Sequence, residues 1–210
     1  VIVEKPCVDT LEHAKELLAL GKEKGVMVSP YQNRRFDGDY LAVKQVIEHG
    51  LLGDILEVEA HIDYYRPGSI TEAGPKETGA FYGLGIHSID RLGALFGRPE
   101  AVTYDIRNNE VAEAVDNYFD VHLHYGNQLK VKVKTNHLVA QDYPRFILHG
   151  TKGSFIKYGE DQQENDLKAG IMPEVQAFGE DSPMNYGLVK YQNANGDWIE
   201  KQIKTPVGDY

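Results

Sequence analysis

The sequence is poor in sulfur: one cysteine, Cys7, and three methionines among 210 residues. A lone thiol rules out a disulfide within the chain and fits a reducing compartment such as the cytoplasm. Long apolar runs are also missing. None approaches the roughly 20 residues that span a bilayer, so no membrane partner is expected. No cluster of Lys or Arg occurs, and 22 basic residues face 32 acidic ones, for a formal net charge of −10. Surfaces that bind duplexes are basic, so nucleic acid is not an expected partner either. No Gly-x-Gly-x-x-Gly and no Gly-Lys-Ser/Thr is present, hence no recognisable phosphate-cradling loop. His122 and His124 share a strand face, but no further ligands of suitable type flank them, and no metal site is expected. Repeats, heptads and low-complexity tracts are absent.

What is present begins as a parallel α/β pattern. "VIVE" reads as a short buried strand, and "DTLEHAKELLALGKEKG" as a helix with Leu11, Ala14 and Leu18 on one face. Asp9 is placed to cap that helix, with Glu12 completing a capping box, and Gly25 to close it. "VMVSPY" supplies a second strand, so the opening 35 residues form a β-α-β unit. After "NRRFDGDY" the pattern changes. An amphipathic helix over 37–49, with Leu41, Val43, Val46 and Ile47 as its apolar residues, precedes a run of strands. In "LEVEAHIDY" Leu56, Val58, Ala60, Ile62 and Tyr64 face one way, and Glu57, Glu59, His61 and Asp63 the other. "NYFDVHLHY" and "LKVKVKT" alternate likewise across a two-residue "GN" turn. "RFILHG", "GSFIKYG", "LVKYQ" and "WIEKQIK" continue the series, the last two joined across "NANGD". The expected fold class is therefore an α/β remnant over residues 1–35, then an α+β domain over 36–210 with a large, mostly antiparallel open sheet.

A few residues stand out chemically. Lys5 lies at the carboxyl end of a parallel strand, where open α/β sheets bind ligands, and Pro6 fixes a sharp turn, cis or trans, behind it. A solvated strand-end lysine is the plainer reading of Lys5. In "TGAFYGLGIHSIDRLGALFG", Gly79, Gly83 and Gly85 precede an apolar helix bearing His87, Asp90 and Arg91. An imidazole there is a natural proton acceptor; a core histidine bonded to a carbonyl is the competing reading. Tyr143 and Arg145 in "DYPRF" suit a polyol or, equally, surface packing. Lys130, Lys132 and Lys134 alternate on one strand and either mark a solvated face or pair with the acidic face of "EVEAHID".

"VIVEKP", "NRRF", "VKQVIEHGLLGDILEVEAH", "GAFYGLGIHSIDRLGALFG" and "FILHGTKGSF" together resemble the Gfo/Idh/MocA family of NAD(P)-dependent oxidoreductases. The likeness runs along nearly the whole chain. It implies the tail of a dinucleotide-binding Rossmann domain, whose N-terminal part is missing, followed by the family's C-terminal substrate and oligomerisation domain. It further implies NAD or NADP as cofactor, bordered by Glu4, Lys5 and Pro6, and a sugar or polyol as substrate. Lys5 and His87 take the catalytic positions of the motif, and Asp90 that of a substrate ligand, beside the candidates Tyr143 and Arg145. The acid that usually stands four residues before the histidine is replaced by Gly83. The implied function is hydride transfer between nicotinamide and a sugar or polyol; the alternative is a catalytically weak sensor of the same fold. A homodimer or homotetramer through the open sheet is expected.

Overall fold

A computed structural model describes all 210 residues. Strand β1 (Ile2–Val3), helix α1 (Leu11–Glu23) and strand β2 (Ser29–Pro30) form the expected parallel unit, with Ile2 opposite Ser29 and Val3 opposite Pro30. Three details differ from expectation. Each strand is only two residues long, and Val1, Ile2 and Met27 lie exposed because nothing covers this pair. The α1 cap is Thr10, whose Oγ1 accepts from His13 N at 3.1 Å, so Asp9 stands one residue outside it. The face expected to be buried is bare: Leu11 is 64% and Leu18 62% exposed. Gly25 does close the helix end, at φ +63°.

Helix α2 (Gly38–Glu48) follows and buries Ala42, Val43 and Val46. The remaining strands, β3 (Ile55–His61), β4 (Ala101–Arg107), β5 (Tyr118–Tyr125), β6 (Leu129–Asn136), β7 (Phe146–Gly150), β8 (Gly153–Lys157), β9 (Gly187–Gln192) and β10 (Trp198–Ile203), build one eight-stranded sheet. Its order is β10-β9-β8-β7-β3-β6-β5-β4. Only β3 and β6 pair in parallel; every other neighbour is antiparallel. One strand, β4, escaped the sequence reading although Val102, Tyr104 and Ile106 alternate with Thr103, Asp105 and Arg107; as an edge it buries little. Helix α4 (Gln162–Lys168), seven residues long and polar, escaped it too. The β5–β6 turn has three residues, Gly126–Gln128, rather than two.

The inner face packs on α2 and on helix α3 (Ile86–Phe96), burying Val58, Ala60, Phe119, Val131, Phe146 and Phe155 with Leu92. Leu56 departs from its expected face: a bulge between Ile55 and Glu57 turns Ile55 toward the core and leaves Leu56 43% exposed. The outer face is polar. There Glu57 stands opposite Lys130 and Glu59 opposite Lys132, with 3.5 Å between the Glu59 and Lys132 charges, so of the β6 lysines Lys132 forms an ion pair with an acid of β3.

Candidate active site

The chain approaches His87 through a rare turn. Residues Phe81–Gly85 form a single π-helical turn directly before α3; such turns concentrate at functional sites. Its start is held from another element: Phe81 N donates to Asp116 Oδ2 at 2.6 Å, and Ala80 N to the Asp116 carbonyl at 2.9 Å. Gly79 permits this closeness, since a Cβ there would sit 2.0 Å from Asp116 Oδ1. Burial pushes the Asp116 carboxyl above its usual range.

Lys5 reaches this turn from β1. The Lys5–Pro6 bond is cis, and Lys5 Nζ donates to the Gly83 carbonyl at 2.9 Å, one helical turn before His87. Lys5 is thereby held at the turn that precedes His87, 82 positions away in sequence, and its charge acts on that ring. Burial and the Arg34 guanidinium hold the Lys5 ammonium below its usual range.

His87 is buried. Burial first, then the cations Arg34, Lys5, Arg91 and Arg145, lower its pKa to about 3. The ring is therefore neutral at physiological pH, and its Nδ1 has no hydrogen-bond partner in the protein. Gly83 stands where the resemblance implies an acid. A Cβ built on it meets nothing within 4 Å, so the space for a side chain is open.

Beneath the histidine lies an ionic network that sequence reasoning missed. Fully buried Arg91 donates through Nη1 to Asp37 Oδ2 at 3.2 Å and to Asp39 Oδ1 at 3.3 Å. Arg34 reaches the same Asp37 oxygen at 3.3 Å, and the Tyr210 hydroxyl donates to Asp37 Oδ1 at 2.7 Å. Burial and neighbouring Asp39, opposed by Arg91 and Arg34, raise the Asp37 pKa to about 7. Asp39 is the reverse: burial works against its charge, but Arg91 and Arg145 hold its carboxyl below the usual range. The signal was visible as "DGD" at the mouth of an amphipathic helix and as an Arg inside another. Neither shows its partners until the two helices pack.

The other candidates point elsewhere. Asp90 engages Arg35 with both oxygens, at 2.7 Å each, and lines a cavity of about 420 Å³ with Ser29–Asn33. Arg145 is buried, donating through Nε to Asp39 at 3.0 Å and through Nη1 to the His61 carbonyl at 3.0 Å. It borders a separate cavity of about 450 Å³ together with Tyr143, whose ring lies 4.5 Å from that of His61. Lys5 and His87 are thus brought together. Arg145 adjoins them through its charge on His87 and its bond to Asp39, while Tyr143 and Asp90 lie to either side.

A model of the GFO/IDH/MocA C-terminal domain matches residues 40–156. The chain belongs to the GFO/IDH/MocA family. It is 53% identical over 210 residues to the uncharacterized oxidoreductase YhhX of Escherichia coli, covering all of this chain and 60% of YhhX. It is 42% identical over 191 residues to IolW of Bacillus subtilis, named a scyllo-inositol 2-dehydrogenase (NADP(+)), with 89% of this chain and 53% of IolW covered. The crystal structure of an oxidoreductase from Bacillus cereus matches with a TM-score of 0.98 at 79% identity, over 100% of this chain and 61% of that one. The chain thus spans between half and two thirds of the length of these GFO/IDH/MocA relatives. No helix in it is long and apolar enough to cross a membrane.

Proposed function

We propose that this chain is the C-terminal part of an NAD(P)-dependent oxidoreductase that exchanges hydride with a sugar or polyol. Residues 1–35 act as the tail of its dinucleotide-binding half and 36–210 as its substrate and oligomerisation half. The observation that carries the proposal is the meeting of Lys5 and His87 at the π-helical turn. Glu4, Lys5 and Pro6 fit the nicotinamide end of a dinucleotide, since a half-buried ammonium and a neutral imidazole offer a donor and an acceptor to a reacting oxygen. No glycine loop for the pyrophosphate occurs within 1–210. When bound, the nicotinamide supplies the hydride chemistry.

The protein's own part is positional and electrostatic. His87, neutral, accepts the proton of the substrate hydroxyl, and Lys5 donates to the oxygen as negative charge develops on it. An imidazole with a pKa of about 3 is a weak base in water. Burial is the first cause of that shift; the cations that add to it also favour the alkoxide and so lower the pKa of the hydroxyl that the ring must deprotonate. Tyr143 and Arg145 serve substrate binding from the adjoining cavity. Asp90 serves it indirectly, by holding Arg35. Turnover assays of the full-length protein with sugars and polyols, following NAD(P)H, test this. Lys5→Ala and His87→Ala are each expected to lower kcat/KM by about 10²–10⁴-fold; full turnover in either variant ends the assignment.

A second reading, a catalytically weak sensor, is favoured by Gly83 and the unpartnered Nδ1 of His87. Ligand binding without NAD(P)H formation, together with a protein captured only in the liganded state, distinguishes it. In either case the polar outer sheet face is proposed as the surface of a homodimer or homotetramer.

A further inference from the structure

Residues 205–210 form a strap without helix or strand that lies against the turn Asn33–Phe36, the start of α2 and helix α4. Its fit is close. A Cβ on Gly208 would collide with Gln163 Nε2 and the Phe36 carbonyl, and one on Gly38 would strike the Pro206 carbonyl. Thr205 Oγ1 donates to Asp181 Oδ2 at 2.7 Å, and Tyr210 N to Gln163 Oε1 at 3.3 Å. The Tyr210 hydroxyl goes further in: it donates to Oδ1 of fully buried Asp37 at 2.7 Å. The other Asp37 oxygen accepts from Arg91 Nη1 at 3.2 Å and from Arg34 Nη1 at 3.3 Å. One carboxylate thus carries a phenol on one oxygen and two guanidiniums on the other.

Both guanidiniums border His87. Arg91 follows it by four residues on α3, so the two buried side chains lie one turn apart on the same helix face. Arg91 Nε and Nη2 have no hydrogen-bond partner in the protein, so its placement depends on Nη1, which Asp37 and Asp39 share. Arg34 has one other ion pair, with Glu164 at 3.5 Å, and its charge acts on both His87 and Lys5. We infer that Tyr210 is a positioning residue for His87: through Asp37 it fixes where the Arg34 and Arg91 guanidiniums stand. A phenol suits the task. Burial, then Asp37 itself, push the Tyr210 hydroxyl above its usual range, so it remains a donor across neutral pH. Without that donor the charged form of Asp37 loses a hydrogen bond, and its carboxyl takes up a proton more readily. The other groups facing Asp37, namely Arg34, Asp39, Arg91 and Asp161, are untouched by a change at 210. A protonated Asp37 no longer holds two guanidiniums as an anion does, and they turn to Asp39 and Glu164. The inference rests on the oxidoreductase reading for its effect on rate; its effect on the ring does not.

Nitrogen NMR of the histidine rings in the full-length protein tests it without requiring turnover. Tyr210→Phe removes the hydroxyl alone. Thr205→Val is the control, since it loosens the strap at Asp181 and leaves the Tyr210 bond in place. In Tyr210→Phe the His87 ring nitrogens are expected to shift at pH 7.5, and the Asp37 carboxyl to titrate above its wild-type value. With whichever sugar or polyol turns over, kcat should fall by about tenfold, the scale of one hydrogen bond to a charged group, and KM should stay within about twofold. Thr205→Val should lower the melting temperature at least as much, yet leave the ring signals and kcat as in the wild type. Should Tyr210→Phe not fold, Asp37→Asn breaks the same link and is read in the same way. Ring signals that do not move, or that move equally in Thr205→Val, overturn the inference, the second by showing a strap that only holds the fold. Moved ring signals without turnover of any sugar or polyol leave the positioning standing and remove the oxidoreductase reading. Turnover with unmoved signals does the opposite.

Discussion

At the scale of single residues, the site is governed by charge around an uncharged ring. His87 sits among four cations, and the residue one helical turn before it is Gly83, which offers no side chain to balance them. Because nothing lies within 4 Å of a Cβ there, Gly83→Asp should fold normally. A carboxylate at that place favours the imidazolium, so the His87 pKa should rise from about 3. Nitrogen NMR of the ring reads this directly, and an unmoved titration shows that the open space does not address the histidine. Activity should rise with the pKa if a carboxylate–imidazole pair is what this chain lacks, and stay level if the Lys5 arrangement has replaced it.

At the scale of elements, buried ions lock α2 to α3, the sheet and the C-terminal segment. Asp37 is the shared point, bound by Arg34, Arg91 and Tyr210. Its pKa of about 7 in the folded state lies above the roughly 3.9 of an unfolded aspartate. Between those values the folded chain holds more protons than the unfolded one, so stability falls as pH rises from about 4 to about 7. Asp39, held low by Arg91 and Arg145, titrates below that window. His87, whose pKa falls from about 6.5 to about 3 on folding, contributes the opposite trend, so the test is the difference between variants: urea melts at pH 4.5 and pH 7.5 should show Asp37→Asn losing less stability, or gaining more, over that interval than the wild type. Equal slopes in both would remove Asp37 as the source. Packing sets a second test. Phe119 is fully buried, contacting Phe81 of the π turn with ring centroids 5.4 Å apart. Phe119→Ala should cost about 3–5 kcal/mol in the same melts, and it should also loosen the approach to His87, seen as faster amide exchange over 81–87.

At the scale of the molecule, two surfaces are unlike the rest. The β-α-β unit leaves Leu11, Leu18 and Met27 at 64%, 62% and 80% exposure, an apolar patch that calls for cover. Residues 1–210 alone should bind a hydrophobic dye such as ANS and show little affinity for NAD. Leu18→Glu should reduce the dye signal, whereas tight NAD binding by this chain, measured calorimetrically, contradicts the proposed division of labour. The outer sheet face is polar but patterned, with acids on β3 beside lysines on β6. If it joins copies of the chain, Lys132→Glu should shift sedimentation toward monomer by breaking the Glu59 pair; an unchanged profile places the oligomer contact elsewhere.

The sequence by itself determined the order of elements wherever periodicity was strong: helix α2, the alternating strands β3, β5 and β6, and the glycine-marked approach to α3. Those patterns are local, set by which side of a strand or helix meets the core. It also marked Lys5, His87 and Gly83 through motif likeness. It missed β4, an edge strand that buries little, and α4, a short helix whose buried residues, Gln163 and Asp166, are polar, and misjudged the first helix, whose apolar face meets no partner in this chain. Only the tertiary structure decided the rest: that Lys5 grips the Gly83 carbonyl, that Arg34, Arg91 and Arg145 crowd one imidazole, that Asp90 is spoken for by Arg35, and that Tyr143 opens on a different cavity. Each of these is a contact between residues far apart in the chain, with energies set by burial and distance, which no spacing along a sequence encodes.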